Sequence, residues 1–296
     1  VVPLVGGIAV AAAGVKLVRN VGKRSSATLD ILSVVLLAAG ITAFVYSVGE
    51  FSTNLIAGIV TLFAAVVLLG LFAARQLKLE HPVLNVRPMA SVRFWPACLL
   101  VVVSMMTTFS MSVLLPLYFE GAYGMTALVA GLLILPAIAC NAVTSIVGGR
   151  VMDARGAWPL LPVGFALIAV GQTAISMTAA SMNIGVVVAL TVVVYAGVGL
   201  VLSPSQTAGL ETLPAAEHPH GTALLNTWNM IAASFGPSLF IGLLSSSAAT
   251  AGAAGAATDV AQAIGFAAAV RVAAVIAVVG FATSLVYARR ESHMSH

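Results

Sequence analysis

Residues 156–210 read GAWPLLPVGFALIAVGQTAISMTAASMNIGVVVALTVVVYAGVGLVLSPSQTAGL, without one charged residue. As a single helix this run would be about 80 Å long, at roughly 1.5 Å of rise per residue. The hydrocarbon core of a bilayer is about 30 Å thick and takes roughly 20 apolar residues. The stretch must therefore hold two spanning helices, and Ser181-Met182-Asn183 is where the turn is expected. Its apolar residues are continuous, whereas a membrane β-barrel needs alternation.

Working outward, the same composition holds throughout. Of the 296 residues, 60% are hydrophobic and 7% charged, against about 25% charged in an ordinary soluble domain. Mean hydropathy is +1.10. Water could not solvate such a surface, which excludes a soluble globular enzyme, a disordered segment and a disulfide-stapled secreted domain. The expected fold class is all-α, a polytopic transmembrane helix bundle. Further charge-free runs at 31–49, 51–74, 94–119 and 121–149 each hold a span. Residues 221–258 hold another, ending in a small-residue loop from Ser245 to Thr258, and the last runs from about 260 to 288. The opening VVPLVGGIAVAAAGV is apolar for only 15 residues before Lys16. Its basic residues follow the apolar run instead of preceding it, so it is not a signal peptide. It reads as the end of a spanning helix cut short. The expectation is eight complete spans and one truncated.

Charge distribution tests that count. Lys and Arg are retained on the cytoplasmic side of short loops. Lys16, Arg19, Lys23 and Arg24 follow the partial span; Arg75, Lys78, Arg87 and Arg93 follow the second complete span. Arg150 and Arg155 follow the fourth, and Arg289 and Arg290 the eighth. Of 13 basic residues only Arg271 stands elsewhere, and the opposite side carries Glu50, Glu120 and Asp259. A wrong count would scatter these charges. The ledger implies a multi-pass protein of the cell membrane with a cytoplasmic C-terminus.

Two local patterns stand out. Residues 148–156, GGRVMDARG, read as a loop whose glycines let helix ends approach closely. There Asp153 can cap a helix or pair with Arg150 or Arg155, and a plain short loop with topology-setting arginines is the alternative. Within 236–242, GPSLFIG, Pro237 removes a helix hydrogen bond and kinks its span. Gly236 and Gly242 beside it allow close packing.

Here the chain resembles the major facilitator superfamily. Gly149-x-Val151-x-Asp153-x-x-Gly156 is similar to the loop signature that joins the second and third helices of each six-helix half. Ala154 and Ala157 depart from it where basic residues are usual, and Arg155 occupies a variable slot. The Gly236-Pro237 pattern resembles the Gly-Pro motif on the fifth helix of the first half in proton antiporters of that superfamily. Counted from the span at 94, the two motifs fall after helix two and in helix five. The two preceding spans, with Leu115-Pro116-Leu117-Tyr118-Phe119, residues 131–136 (GLLILP) and Thr222-Ala223-Leu224-Leu225-Asn226, resemble the fourteen-helix drug:proton antiporters, the EmrB/QacA-type branch.

The resemblance implies the organisation. Residues 1–18 would end a truncated helix and 19–27 form a cytoplasmic loop. Residues 28–76 would be the extra two-helix pair, 77–93 a cytoplasmic linker, 94–288 the C-terminal six-helix half and 289–296 a cytoplasmic tail. It also implies a cavity lined by the first, second, fourth and fifth helices of the half. Their candidate substrate residues are Met105, Met106, Asn141, Tyr195, Asn226, Asn229 and Met230. Met adapts to varied ligands, and Asn bonds a ligand or a neighbouring helix; for any single residue, helix packing is the competing reading.

Ionisable groups at membrane depth are costly and default to functional hypotheses. The candidates are Asp30, Glu120 and Arg271. Asp30 follows Ser25, Ser26 and Thr28 and suits a helix cap. Glu120 is an interface acid or a titrating one. Arg271 faces a crevice, snorkels, or pairs with an anion.

No nucleotide-binding loop is present. The histidines form no metal set, and no nucleophilic triad can be assembled. Cys98 and Cys140 lie in apolar runs and read as packing residues. No basic patch suits nucleic acid. No cofactor and no catalytic residue is expected. The implied function is proton-coupled efflux of small hydrophobic or cationic compounds by alternating access, with protons, the lipid bilayer and an N-terminal half of the same chain as partners. The alternatives are an exporter or uniporter of a small metabolite on this fold, and a non-transporting membrane protein.

Overall fold

The structure, a computed structural model, describes residues 30–50, 54–79, 82 and 84–292. The expected truncated helix and its basic loop, with Lys16, Arg19, Lys23 and Arg24, lie outside the described residues. So do the last residues of the tail, 293–296.

Among the described residues, eight helices are long and apolar enough to cross a membrane. They are α1 (Ile31–Glu50), α2 (Leu55–Lys78), α3 (Phe94–Tyr123), α4 (Ala127–Arg155), α5 (Leu160–Thr178), α6 (Ile184–Glu211), α7 (His218–Ala253) and α8 (Thr258–Ser292). No strand occurs among the described residues. The turn inside the long charge-free run falls where Ser181-Met182-Asn183 placed it. A 3-10 turn at Ala179–Ser181 leads to Met182 in the left-handed region, at φ 54°. Asn183 then caps α6, its side chain accepting from the Val186 amide.

Several boundaries differ from the sequence reading; α3, for one, runs past Glu120 to Tyr123, and α4 starts only at Ala127. Residues 148–155 are not a loop: α4 stays helical through Arg155. Nothing there breaks a helix until Gly156, whose φ of 74° ends it. The stretch from Ser245 is likewise helical to Ala253. Its alanines are the strongest helix formers, and only the residues around Gly255, at φ 91°, turn. Finally α8 runs on to Ser292, into the residues assigned to the tail.

Contacts between helix ends fix the topology. At one face Phe94, which opens α3, lies beside Gly221 near the start of α7, while Gly209 near the end of α6 meets Ala97 of α3. The Tyr287 hydroxyl of α8 donates to the Ala208 carbonyl of α6 at 3.0 Å. Gln76 near the end of α2 bonds Ser33 near the start of α1. The ends bearing Arg75, Lys78, Arg93 and Arg155 all belong to this basic face. At the other face Tyr118 of α3 donates to the Ala179 carbonyl at 2.9 Å, and Gly121 of α3 meets Gln262 of α8.

Helices α3–α8 pack as two related triplets. In one sense α3 touches α7 and α8, and in the other α6 touches α4 and α5. Exchanging α3–α5 with α6–α8 maps these pairs onto each other, while α5·α8 and α3·α6 map onto themselves. These shared pairs are the ones that inverted repeats of three helices produce, although α7 packs closely on α8 while its counterpart pair, α4 and α5, barely touches. The two tyrosine bonds obey the same exchange. Each joins the first helix of a triplet to the last, and Tyr118 and Ala208 stand equally far from the first residues of their helices, Phe94 and Ile184. The α1–α2 pair packs on this bundle through α7.

The core is apolar and centred on α3, α5, α6 and α8, with Phe165, Phe266, Leu114, Ile168 and Val201 fully buried. Tyr118 stacks on Phe266 with ring centroids 4.2 Å apart. Helix α6 is set close to both neighbours by glycine. A Cβ on Gly197 would lie 2.6 Å from the Gly164 carbonyl oxygen of α5, and one on Gly199 would lie 2.6 Å from the Asn141 carbonyl oxygen of α4. Only glycine allows backbones this near, which is how membrane helices gain packing without a hydrophobic driving force.

Candidate functional site

The cavity candidates fall on α3, α4, α6 and α7. On α7 the i, i+4, i+8 spacing places Asn226, Met230 and Ser234 on one face, and all three are exposed. Met230 is 67% exposed. This face is polar and soft, whereas Leu224, Leu225, Ala232 and Phe240 are buried on the same helix. Asn229 is half-buried beside it, and its Oδ1 is buried without a hydrogen-bond partner.

The other candidates are held by packing. Asn141 of α4 donates from Nδ2 to the Tyr195 carbonyl of α6 at 3.1 Å. The bond belongs to the α4–α6 seam, and the Tyr195 ring is buried in the same core. Met106 of α3 is buried and backs onto Gly236 of α7, where a Cβ would lie 3.6 Å from the Met106 Cα. Met105 is half-buried. The structure thus unites Asn141 with Tyr195 and Met106 with Gly236, and gathers Asn226 and Met230 on one open face.

In the first motif Gly149 is half-buried and its missing Cβ faces open space. Its neighbour Gly148 makes the close approach instead: a Cβ there would lie 3.2 Å from the Gly199 carbonyl oxygen. Asp153, Arg155 and Gly156 are exposed at the end of α4, and the Gly156 amide bonds the Met152 carbonyl at 2.9 Å. In the second motif Pro237 lies inside α7. Gly236 is buried, and Gly242 has nothing near its α-carbon's open side.

Carboxylates keep to helix ends. Asp30 directly precedes Ile31, the first helical residue of α1, and is half-buried. Glu120 is exposed in the last turn of α3, and Asp259 in the first turn of α8. Arg271 is mid-helix in α8 and exposed, between apolar neighbours Val272 and Val275. Among the described residues no cluster of His, Cys, Asp and Glu could hold a metal ion.

Sequence reasoning missed two polar groups that are buried without a hydrogen-bond partner. Gln172 of α5 is fully buried with both amide atoms unpaired, and Ser205 of α6 is buried with its hydroxyl unpaired. The signal for Gln172 was available: an amide in the middle of a span is anomalous on polarity alone.

Comparison with known proteins decides what kind of molecule this is. The model of the Major Facilitator Superfamily matches residues 32–237. The chain belongs to the major facilitator superfamily. Lincomycin resistance protein LmrB of Listeria monocytogenes serovar 1/2a (strain ATCC BAA-679 / EGD-e) is 31% identical over 235 residues, covering 78% of this chain and 50% of that protein. The uncharacterized MFS-type transporter YcnB of Bacillus subtilis (strain 168) is 33% identical over 273 residues, 90% of this chain and 57% of the relative. The multidrug resistance protein B homolog of Mycobacterium tuberculosis (strain CDC 1551 / Oshkosh) is 25% identical over 227 residues, 74% and 42% of the two chains. The chain spans about half the length of these curated superfamily relatives. The six helices α3–α8 are thus a helical bundle of the major facilitator type.

Proposed function

We propose that this polypeptide serves proton-coupled efflux of hydrophobic or cationic compounds by alternating access, in the plasma membrane with its basic face to the cytoplasm. The observation that carries the reading is the open face of α7. It presents Asn226, Met230 and Ser234 beside α3, in a chain 31% identical to a lincomycin resistance protein. Methionine adapts its shape to varied apolar ligands, and the amide and hydroxyl supply a few hydrogen bonds without fixing one substrate. Helices related as inverted triplets supply the rocking bodies.

Antiport needs a carboxylate that titrates between the two states. Every carboxylate-bearing residue among the described residues of α1–α8 belongs to the first or last turns of its helix. We infer that the proton-carrying acid lies outside the described residues, in sequence corresponding to the other half of the relatives. A second half also supplies the opposite wall of the cavity.

The test is dye efflux from cells expressing the complete transporter, with and without a protonophore. The expected result is efflux that stops when the gradient collapses. Efflux indifferent to the protonophore rejects antiport, and a panel of metabolites that outcompetes the dyes rejects the drug-like substrate class.

A further inference from the structure

Helix α7 is one helix from His218 to Ala253, yet its two ends are held by different neighbours. Pro237 divides it. Proline has no N–H, so the hydrogen bond to the carbonyl four residues earlier is missing and the turn around Gly236-Pro237 is weakened.

The arm before Pro237 is tied to the α1–α2 pair at two levels. Near its start Leu224 and Leu225 are buried in a separate apolar cluster with Phe72 of α2 and Leu84 of the linker, and Leu36 and Leu37 of α1 pack against it. Three turns further on, Phe235 stacks on Phe44 of α1, with ring centroids 5.2 Å apart and planes inclined by 23°. Phe235 directly precedes Gly236. The linker is itself locked to the pair: the buried Gln76 donates to the Ser33 hydroxyl at 2.6 Å and accepts from the Leu84 amide at 3.1 Å. The arm after Pro237 is fastened elsewhere. Phe240, Leu244 and Ala248 are buried, and a Cβ on Gly265 of α8 would run into the Leu244 carbonyl oxygen and lie 3.0 Å from the Ala248 Cβ.

We propose that the α1–α2 pair is a brace for the first arm of α7, and that Gly236-Pro237 is the hinge between this braced arm and a second arm fastened to α8. The Phe44–Phe235 stack sits at the hinge and sets its angle. The braced arm carries Asn226, Asn229 and Met230, so the pair positions these side chains through the arm. Packing alone carries this inference, so it stands or falls independently of the transport reading.

Hydrogen–deuterium exchange of the complete transporter in lipid nanodiscs tests it, with no substrate or gradient. The reporters are the amides of Ser238 to Ile241, which close the turn across Pro237. Phe44→Leu keeps an apolar group but removes the ring. Exchange there is expected to quicken roughly threefold to tenfold, the range that loss of an aromatic pair gives, with α5 unchanged. Phe44→Tyr keeps the stack and should hold the wild-type rate. The double variant Phe44→Leu, Phe235→Leu should exchange no faster than Phe44→Leu alone. Three results overturn the brace: an unchanged rate in Phe44→Leu, a rise shared equally by α5, or additive effects in the double variant. Because Phe44 lies on α1 outside the six-helix bundle, its variants remain informative even if Phe235→Leu does not fold.

Discussion

Helices α6 and α7 are both rich in glycine and both carry an internal proline, yet the glycines in the middle of α6 and those of α7 beyond Pro237 have opposite surroundings. In α6 the glycines are contact surfaces: Gly197 meets the backbone of α5, and Gly199 that of α4. In α7 Gly242 and Gly252 face open space, and what the helix offers is an accessible polar face and a weakened turn. In the proposed reading the difference separates a fixed seam from a movable wall. Gly199→Leu tests the seam most severely. A Cβ at this position would lie 3.0 Å from the Ser145 amide nitrogen as well as against Asn141 and Thr144. Backbone cannot move aside as a side-chain tip does, so α4 and α6 must separate. The expected cost is more than about 3 kcal/mol, beyond the usual range for overpacking. The protein should be lost from the monodisperse peak in detergent size-exclusion chromatography. A variant of wild-type yield and melting temperature would show that the seam is not rigid.

How much of this was legible in the sequence follows from the kind of signal each feature leaves. The spans were legible because bilayer thickness imposes a length and lipid excludes charge. The turn after α5 was legible because Asn183 and its neighbours are polar in an otherwise apolar run. The basic face was legible for the same reason, and the structure brings its helix ends together. The role of a given glycine was not legible. Gly148 and Gly149 are adjacent and chemically identical, and only the position of α6 makes the first a contact and the second a bystander. The helical course of residues 148–155 was hidden by the expectation that motif residues form a loop. In the candidate site, Asn141 and Asn229 look alike as sequence. The first is spent on the Tyr195 carbonyl, whereas the second keeps a buried, unpaired oxygen. Arg271 was legible as an anomaly, and the structure places it exposed in the middle of α8.

The seam also contains an apparent defect, and its removal sharpens the comparison. Gln172 follows Gly171, whose missing Cβ admits Val194 of α6, and its buried amide has no partner. A buried polar group left unpaired costs about 1–3 kcal/mol. Gln172→Leu, which is similar in volume, removes that cost. The melting temperature is expected to rise, by the equivalent of about 1 kcal/mol, with dye efflux unchanged. A fall in melting temperature would mean that the amide is satisfied in the folded protein, and the seam would then need a polar partner to explain it.

The smallest expected effect completes the contrast between the two helices. Gly242 of α7 resembles Gly199 of α6 in every respect that sequence can show: it lies within a span and near a proline motif. Nothing stands within 4 Å of the place its Cβ would occupy. Gly242→Ala therefore adds a methyl group to open space, and alanine is the better helix former by about 1 kcal/mol in a helix interior. Stability should be unchanged or higher by a few tenths of a kcal/mol, against a clear loss for Gly199→Ala measured in the same thermal assay. Efflux adds the second reading. Stiffening α7 at Gly242, beyond the Gly236-Pro237 turn, leaves the hinge itself intact, so transport should persist. If Gly242→Ala abolished transport while leaving the melting temperature alone, the movable part of α7 would extend past Pro237, and the division between seam and wall would have to be redrawn there.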